Sequence, residues 1–190
     1  MEPLGRAAVG AATTDGRAPR PMYHRRMIDT ASVEGRRELR FDSLEAMLDD
    51  ARACAAIERR GELRPLGNWT LGQALNHLAA WIEFPYVGYP PELVIPEPLQ
   101  RAAQSARSRI MSEPMRAGER IGELPGGTLA TEIVPTDAGL KRLESAAARL
   151  QAAHPPLPDP AFGRVTKEEW TQMNLRHAEL HLGFFRSAAG

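Results

Sequence analysis

The sequence predicts an all-α fold, a four-helix bundle with an additional helical or loop insertion. Apolar residues recur at three- and four-residue spacing in four long segments, which is the pattern of amphipathic helices. Residues typical of helix N-caps precede these segments, and Pro and Gly separate them. No segment shows the sustained apolar–polar alternation of a half-buried strand, so we expect no sheet. The pattern leaves open whether residues 33–41 and 131–134 form short extended segments.

Capping residues and breakers set the expected helix boundaries. The first helix should begin at Asp42, with Glu45 completing a capping box, and should end at Gly61. The second should begin at Thr70, and Pro85 and Pro90-Pro91 should end it.

The remaining helices are separated by an irregular segment. One further helix is expected between Pro98 and Pro114, followed by an excursion at residues 114–135 that contains two adjacent glycines. The third long helix should start at Thr136, and the fourth is capped by Thr166 and runs through residue 184.

The N-terminal part differs in composition from the rest of the chain. Residues 1–35 are predicted to be a disordered or loosely ordered extension, and residues 36–190 the helical bundle domain. Residues 1–29 are rich in Gly, Ala, Pro, Thr and Arg and have no apolar periodicity. The small-residue run at 7–12 is too short for a secretory signal, and no apolar run follows Arg25-Arg26.

Composition excludes several classes of protein. Lys and Arg number 24, as do Asp and Glu, which argues against a nucleic-acid or anionic-membrane partner. The single cysteine excludes an internal disulfide and a Cys-rich zinc module. No run approaches 18 consecutive apolar residues, so we expect no membrane span. These observations predict a cytoplasmic protein.

Two histidines point to a metal site on the fourth helix. His177 and His181 are four residues apart, so both imidazoles project from one helical face. That face is the apolar one, and buried imidazoles need a partner for each ring nitrogen. His77 borders the apolar side of the second helix and is the natural third ligand. Three imidazoles would leave coordination positions open, as in catalytic sites. The alternative is that all three are core histidines bonded to backbone or to each other.

Two segments carry a resemblance to a known family. The segment NWTLGQALNHL at Asn68–Leu78 is similar to the second helix of the DinB-like (YfiT-like) superfamily. The residues Phe162–Thr166, Trp170 and HAELHL at His177–Leu182 are similar to its fourth helix. The chain resembles most the bacterial branch known as domain of unknown function 1569, over about residues 36–187.

The resemblance implies a four-helix bundle of up-down-down-up topology. It also implies a divalent metal bound by one histidine of the second helix and two of the fourth, which correspond to His77, His177 and His181. The superfamily includes thiol-dependent transferases and isomerases as well as hydrolases. Segment 97–135 is additional to the minimal bundle, so the shape of the pocket is not implied.

Five other residues are weaker candidates for a role. Glu179 is two positions from each histidine of the fourth helix, about 200° around it, and should point away from the metal. Gln73 is better explained as a capping residue, and Asn174 could line the pocket. Cys54 should be a buried apolar residue rather than a nucleophile. His154 should lie at a helix C-terminus and bind no metal.

The function expected from these residues is that of a metal-dependent enzyme, a thiol-dependent transferase or a hydrolase. The cofactor would be a divalent ion; imidazole suits zinc, nickel, iron and copper, so the metal is not assigned. The expected partner is a small-molecule substrate or a low-molecular-weight thiol, with neither nucleic acid nor membrane, and a homodimer could form through an exposed helix face. No general base is evident. The alternative is a non-catalytic metal- or ligand-binding helical bundle.

Overall fold

The computed structural model describes residues 27–120, Leu124 and residues 127–188, so residues 1–26 of the predicted extension at 1–35 lie outside these ranges. The described residues are mostly helical, with one small sheet. The helices are α1 Leu44–Arg59, α2 Leu71–Val87, α3 Glu97–Ser105, α4 Arg107–Ser112, α5 Thr136–Ala152 and α6 Lys167–Leu182. The strands are β1 Leu63–Pro65 and β2 Phe185–Ser187, and a 3₁₀ turn covers Thr30–Ser32. Within the described ranges, none of the helices combines the length and hydropathy that crossing a bilayer requires.

The caps of α2 and α6 are the predicted ones. The Thr70 hydroxyl accepts a hydrogen bond from the Gln73 backbone N–H, and Thr166 and Glu169 form both bonds of a capping box. The cap predicted for α1 is wrong by one residue. Ser43, not Asp42, is the N-cap, and its hydroxyl accepts from the Ala46 N–H. Asp and Ser are both favourable N-caps, so the local sequence does not show which of the two caps α1.

Two helix ends differ from the prediction. Helix α2 continues through Pro85 to Val87, and the Gly88 N–H closes its last turn by donating to the Phe84 carbonyl, although Pro85 has no N–H to donate. Gly88 follows with φ of 108°, a conformation that favours glycine. Helix α6 ends at Leu182, so Phe184 lies in the turn that leads to β2 rather than on the helix.

The insertion contains two short helices where one was predicted. Ala106, with φ of −95° and ψ of 6°, interrupts the helical path between α3 and α4. The described residues between 113 and 135 form no α-helix and no strand, in agreement with the irregular excursion expected there.

The expectation of no sheet is wrong. Strands β1 and β2 pair antiparallel, with Leu63 opposite Ser187 and Pro65 opposite Phe185. Each strand has three residues, which is too short to display an alternating pattern. The pairing ties the chain after α6 to the chain after α1, and the Leu66 N–H extends it by donating to the Phe184 carbonyl.

The hydrophobic core lies among α1, α2, α5 and α6. Helix α2 packs along α5, α1 contacts both α5 and α6, and α2 also contacts α6. The largest fully buried apolar side chains come from these four helices: Met47, Leu71, Leu75, Leu78, Ile82, Leu143, Leu150, Leu175 and Leu182. The contact between α2 and α6 brings the predicted site residues of the two helices to a common face.

Candidate metal centre

The three predicted histidines converge between α2 and α6. His77 extends from α2, while His177 and His181 extend from successive turns of α6. The Nε2 atoms of His77 and His177 are 3.0 Å apart, and those of His177 and His181 are also 3.0 Å apart. A divalent ion with metal–nitrogen bonds of about 2.0–2.1 Å holds its nitrogen ligands roughly 3.0–3.4 Å apart, depending on geometry. The cluster therefore has the dimensions of a set of ligands to one ion.

The hydrogen bonds of His77 orient it for ligation. Its Nδ1 lies 2.8 Å from the Leu129 carbonyl oxygen, so Nδ1 carries the proton and donates it. The Nε2 of His77 is then an unprotonated nitrogen directed at His177. A bond from the other ring nitrogen to a backbone carbonyl is the usual support of a metal-ligating histidine.

Protons alone do not satisfy the cluster. The Nε2 of His177 faces the Nε2 atoms of both His77 and His181, but it can carry only one proton. If the Nε2 of His177 is protonated it can donate to only one neighbour, and if it is unprotonated it can accept from only one. At least one of the two contacts therefore lacks a normal hydrogen bond. A cation among the three nitrogens would give each lone pair a partner.

Burial keeps the three imidazoles neutral. It lowers the pKa of His77 to about 4, although the bond to Leu129 acts in the opposite direction. Burial also lowers the pKa values of His177 and His181 well below the usual range, and proximity to the other imidazoles adds to the effect. Ligation requires neutral imidazole, so the fold maintains the protonation state that a metal needs.

Two tryptophans fix the rings in place. Trp69 stacks on His181, with ring centroids 4.9 Å apart and an interplanar angle of 5°, and it meets His77 edge-on. Trp81 contacts His77 and His177 edge-on at 6.1 and 5.9 Å. These contacts restrict the rotamers of all three histidines.

The cluster opens into a cavity of about 510 Å³, which we call the metal-side cavity. All three histidines line it, so positions around an ion would remain accessible to a small ligand. Its rim includes the exposed side chains of Arg116, Arg120 and Glu119 from the insertion, none of which forms a described ion pair. The N-terminal segment contributes Met27–Thr30 to the same wall.

One arginine lies close to the cluster without a carboxylate partner among the described residues. The Arg36 guanidinium stacks over the Phe184 ring at 4.3 Å and donates to the Leu180 carbonyl. Burial lowers the pKa of Arg36, and its charge contributes to the lowered pKa of His181. Arg36 does not line the metal-side cavity, but its positive charge acts on the cluster through His181.

The other candidates have the following positions. The Glu179 carboxylate accepts from the Phe41 N–H and pairs with Arg176, so it points away from the histidines as expected. Asn174 is buried and lines a second cavity rather than the metal-side cavity. The capping role expected of the Gln73 side chain is wrong: the Gln73 backbone N–H donates to the Thr70 hydroxyl, while its side-chain amide donates to the Thr131 carbonyl.

Cys54 and His154 are not part of the cluster. Cys54 is buried on α1 between Arg37 and Asp50, and burial raises the pKa of its thiol to about 11. It is therefore an inert thiol at neutral pH, as predicted. His154 is exposed just after α5.

Sequence reasoning missed the groups that support and surround the histidines. Leu129 acts through its backbone carbonyl, which no residue-type pattern reveals. Trp69 lies in the segment Asn68–Leu78 that resembles the DinB-like second helix, but the sequence assigns it no role. Asp29 and Glu119 provide carboxylates to the metal-side cavity, and they come from segments with no helical signal.

Comparison with known proteins identifies the family. No curated protein and no solved structure matches the chain. A family model described as "Protein of unknown function (DUF1569)" matches residues 33–188. Among the described residues, this match covers the six α-helices and the two strands, and the three histidines fall within it. The chain belongs to the DUF1569 family.

Proposed function

We propose that the protein binds one divalent metal ion through His77, His177 and His181 and uses it as an enzyme acting on a small molecule. The observation that carries the proposal is the convergence of three neutral imidazoles, with the Nε2 of His177 3.0 Å from those of both His77 and His181, where protons cannot satisfy both contacts. Three protein ligands and an adjoining cavity are typical of catalytic rather than structural metal sites. We also propose that the chain is related to the DinB-like superfamily and that its four long helices form an up-down-down-up bundle. The packing of α1 and α2, each against both α5 and α6, supports the bundle.

The chemistry proposed is thiol-dependent transfer or hydrolysis. A divalent ion at this site would favour the deprotonated form of a sulfur or oxygen nucleophile. The thiol would be an external small molecule, because Cys54 is buried beside Arg37 and Asp50. In transfer, sulfur bonds to an electrophilic carbon and the leaving group departs with its bonding electrons. In hydrolysis, water oxygen bonds to an acyl carbon and the alcohol departs.

The chain's own residues would bind the substrate and accept a proton. Arg36 supplies a positive charge beside the cluster, which favours an anionic nucleophile. Glu119 is the stronger candidate for the proton acceptor, because the Asp29 carboxylate already accepts from the Ala31 N–H. Trp69 and Leu129 position the imidazoles.

The second candidate is a non-catalytic metal- or ligand-binding protein. It is favoured by the exposure of Glu119 and by the fact that no described carboxylate is hydrogen-bonded to a histidine of the cluster. An efficient general base is normally held within hydrogen-bonding reach of the proton that it removes. The two candidates predict the same metal content and differ in turnover.

Metal content tests the centre. We expect protein purified without an affinity tag to contain about one divalent ion per chain by elemental analysis. His77→Ala and the His177→Ala/His181→Ala variant should lose most of it, whereas His154→Ala should keep it. Equal binding by the wild type and the double variant would refute the site.

Turnover separates the two candidates. The cobalt(II)-loaded protein should show a new sulfur-to-metal absorption band with 2-mercaptoethanol or glutathione, and it should conjugate an electrophile faster than His77→Ala does. Glu119→Gln should lower the rate at unchanged metal content. Thiol ligation without any metal-dependent rate would instead support the binding protein.

A further inference from the structure

A second cavity is also lined by His177 and is largely apolar. It measures about 240 Å³, and its walls come from α2, α6, the loop after α2 and the turn before α6. Apolar side chains dominate the walls: Trp81, Leu93, Ile95, Phe162, Trp170 and Met173. We call it the apolar cavity.

The two cavities share part of their boundary. His177 and Met115 line both the metal-side cavity and the apolar cavity. A molecule that reaches the histidines from the first cavity therefore adjoins the second. Met115 borders both spaces, and a methionine side chain adapts readily to ligands of irregular shape.

The apolar cavity has features of a binding site rather than of a packing defect. Packing defects in protein cores are few and small, whereas a cavity of roughly 150 Å³ already accepts benzene. Polar groups are also placed in its walls. Among the described residues, the buried Trp81 Nε1 and Tyr89 Oη atoms have no hydrogen-bond partner, and the buried Asn174 amide uses its Nδ2 to donate to the Trp170 carbonyl. Unpartnered buried groups in a pocket wall are typical of sites that a ligand completes.

We propose that the apolar cavity binds the apolar group of the substrate, a single aromatic ring or a short branched chain, while the substrate's reacting group lies at the three histidines. The inference rests on the proposed metal centre and specifies its substrate class. The volume suits one ring rather than a fused system, since pockets for drug-sized ligands begin near 300 Å³. A polar substituent on the ring could pair with Tyr89 or Trp81.

Thiol binding to the cobalt(II)-loaded protein tests the proposal. We compare 2-phenylethanethiol, which carries a ring, with 2-mercaptoethanol, which does not, and monitor the sulfur-to-cobalt band. We expect a dissociation constant for the aromatic thiol at least ten times lower. Tryptophan fluorescence gives a second readout that needs no metal, since two of the three tryptophans line the cavity; benzyl alcohol should change it in the metal-free protein.

A matched pair of variants assigns the preference to the cavity. Ala161 lines the cavity, so Ala161→Phe should fill it and abolish the tenfold preference and the benzyl alcohol signal. Val94 is 71% exposed beside the lining residue Leu93, so Val94→Phe should retain both. Leu93→Trp replaces Ala161→Phe if that variant fails to fold.

The outcomes separate this inference from the proposed function. If 2-mercaptoethanol produces no cobalt band in the wild type, thiol binding at the proposed metal centre is wrong, and benzyl alcohol still reports on the cavity. If 2-mercaptoethanol binds but the two thiols bind equally, the cavity has no role and the inference is overturned. A preference that persists in Ala161→Phe also overturns it.

Discussion

At the scale of single residues, His77 combines two properties that water-exposed histidines lack. One ring nitrogen is bonded to the Leu129 carbonyl, and the other faces His177. The side chain is 1% exposed, so charging it would require almost complete desolvation of a cation. The ring is therefore held neutral and in one tautomer before any ligand binds.

This neutrality predicts a loss of stability in acid for the metal-free protein. The pKa of His77 is about 4 in the fold and about 6.5 in an unfolded chain, so the unfolded chain binds more protons between these values. The free energy of unfolding should fall as the pH is lowered from about 7 to 4, by on the order of 3 kcal/mol from His77. Urea unfolding at a series of pH values, in the presence of a chelator, measures this change in the free energy of unfolding.

Two variants isolate the contribution of His77. His77→Gln cannot titrate, so its stability should depend less steeply on pH than that of the wild type. His154→Gln changes an exposed histidine and should leave the wild-type slope intact. Parallel pH profiles for the wild type and His77→Gln would contradict the argument.

The three histidines were predictable because side-chain type and helical spacing carry the information. The i, i+4 interval sets His177 and His181 on one face, and an apolar environment demands partners for both. The carbonyl of Leu129 and the carboxylate of Glu119 were not predictable. They approach the cluster from an irregular segment, whose path depends on contacts distant in sequence.

At the scale of elements, two glycines set the distance between α2 and α5. A Cβ atom on Gly72 would lie 2.2 Å from the Val134 carbonyl oxygen, and one on Gly139 would lie 2.6 Å from the Gly72 carbonyl oxygen. Both contacts involve backbone atoms, which cannot rotate away as a side chain can. The close approach orients α2, and through it His77.

Gly72→Ala should therefore destabilise the protein, although alanine is the better helix former by about 1 kcal/mol. We expect a loss of about 1–3 kcal/mol in the free energy of unfolding, from the steric conflict with Val134. Ser145→Ala, on the exposed face of α5, raises helix propensity without a new contact and should be neutral or slightly stabilising. Chemical denaturation of the three proteins tests the prediction; an increase in stability for Gly72→Ala would rule out the close contact.

The capped helices were predictable at this scale and the sheet was not. The capping bonds of Thr70 and Thr166 form within four residues, so the local sequence contains both partners. Strands β1 and β2 each have three residues and pair across more than a hundred positions. Neither strand has a pattern of its own, and the pairing exists only because the long helices bring the segments together.

At the scale of the whole molecule, segments outside the long helices complete the metal-side cavity. The backbone N–H of Ile28 donates to the Asn68 side chain, which in turn donates to the Ile28 carbonyl. Gly118 packs closely on Ala31, so the N-terminal segment and the insertion meet over the cavity. The cavity is thus a product of three distant parts of the chain.

Two truncated chains distinguish the contribution of residues 1–26 from that of residues 27–32. A chain that begins at Met27 should keep the melting temperature and metal content of the full chain, because residues 1–26 have little apolar area with which to pack. A chain that begins at Val33 also loses the Ile28–Asn68 bonds and part of the cavity wall. We expect it to melt several degrees lower and to lose metal to a chelator faster.

Calorimetry measures the melting temperatures of the truncated chains, and the rate of metal transfer to a chromogenic chelator measures how fast they lose the ion. A lower melting temperature for the chain that begins at Met27 would show that residues 1–26 contribute to stability. Unchanged behaviour of the chain that begins at Val33 would show that the N-terminal segment does not support the cavity.

The sequence by itself determined the helical class, the starts of α2, α5 and α6, and the identity of the three histidines. Each of these depends on periodicity or on bonds between near neighbours, which a sequence displays directly. The tertiary structure alone decided the small sheet, the division of the insertion at Ala106, and the two cavities that meet at His177. These features arise where segments distant in sequence come into contact, and such contacts leave no periodic signal in the chain.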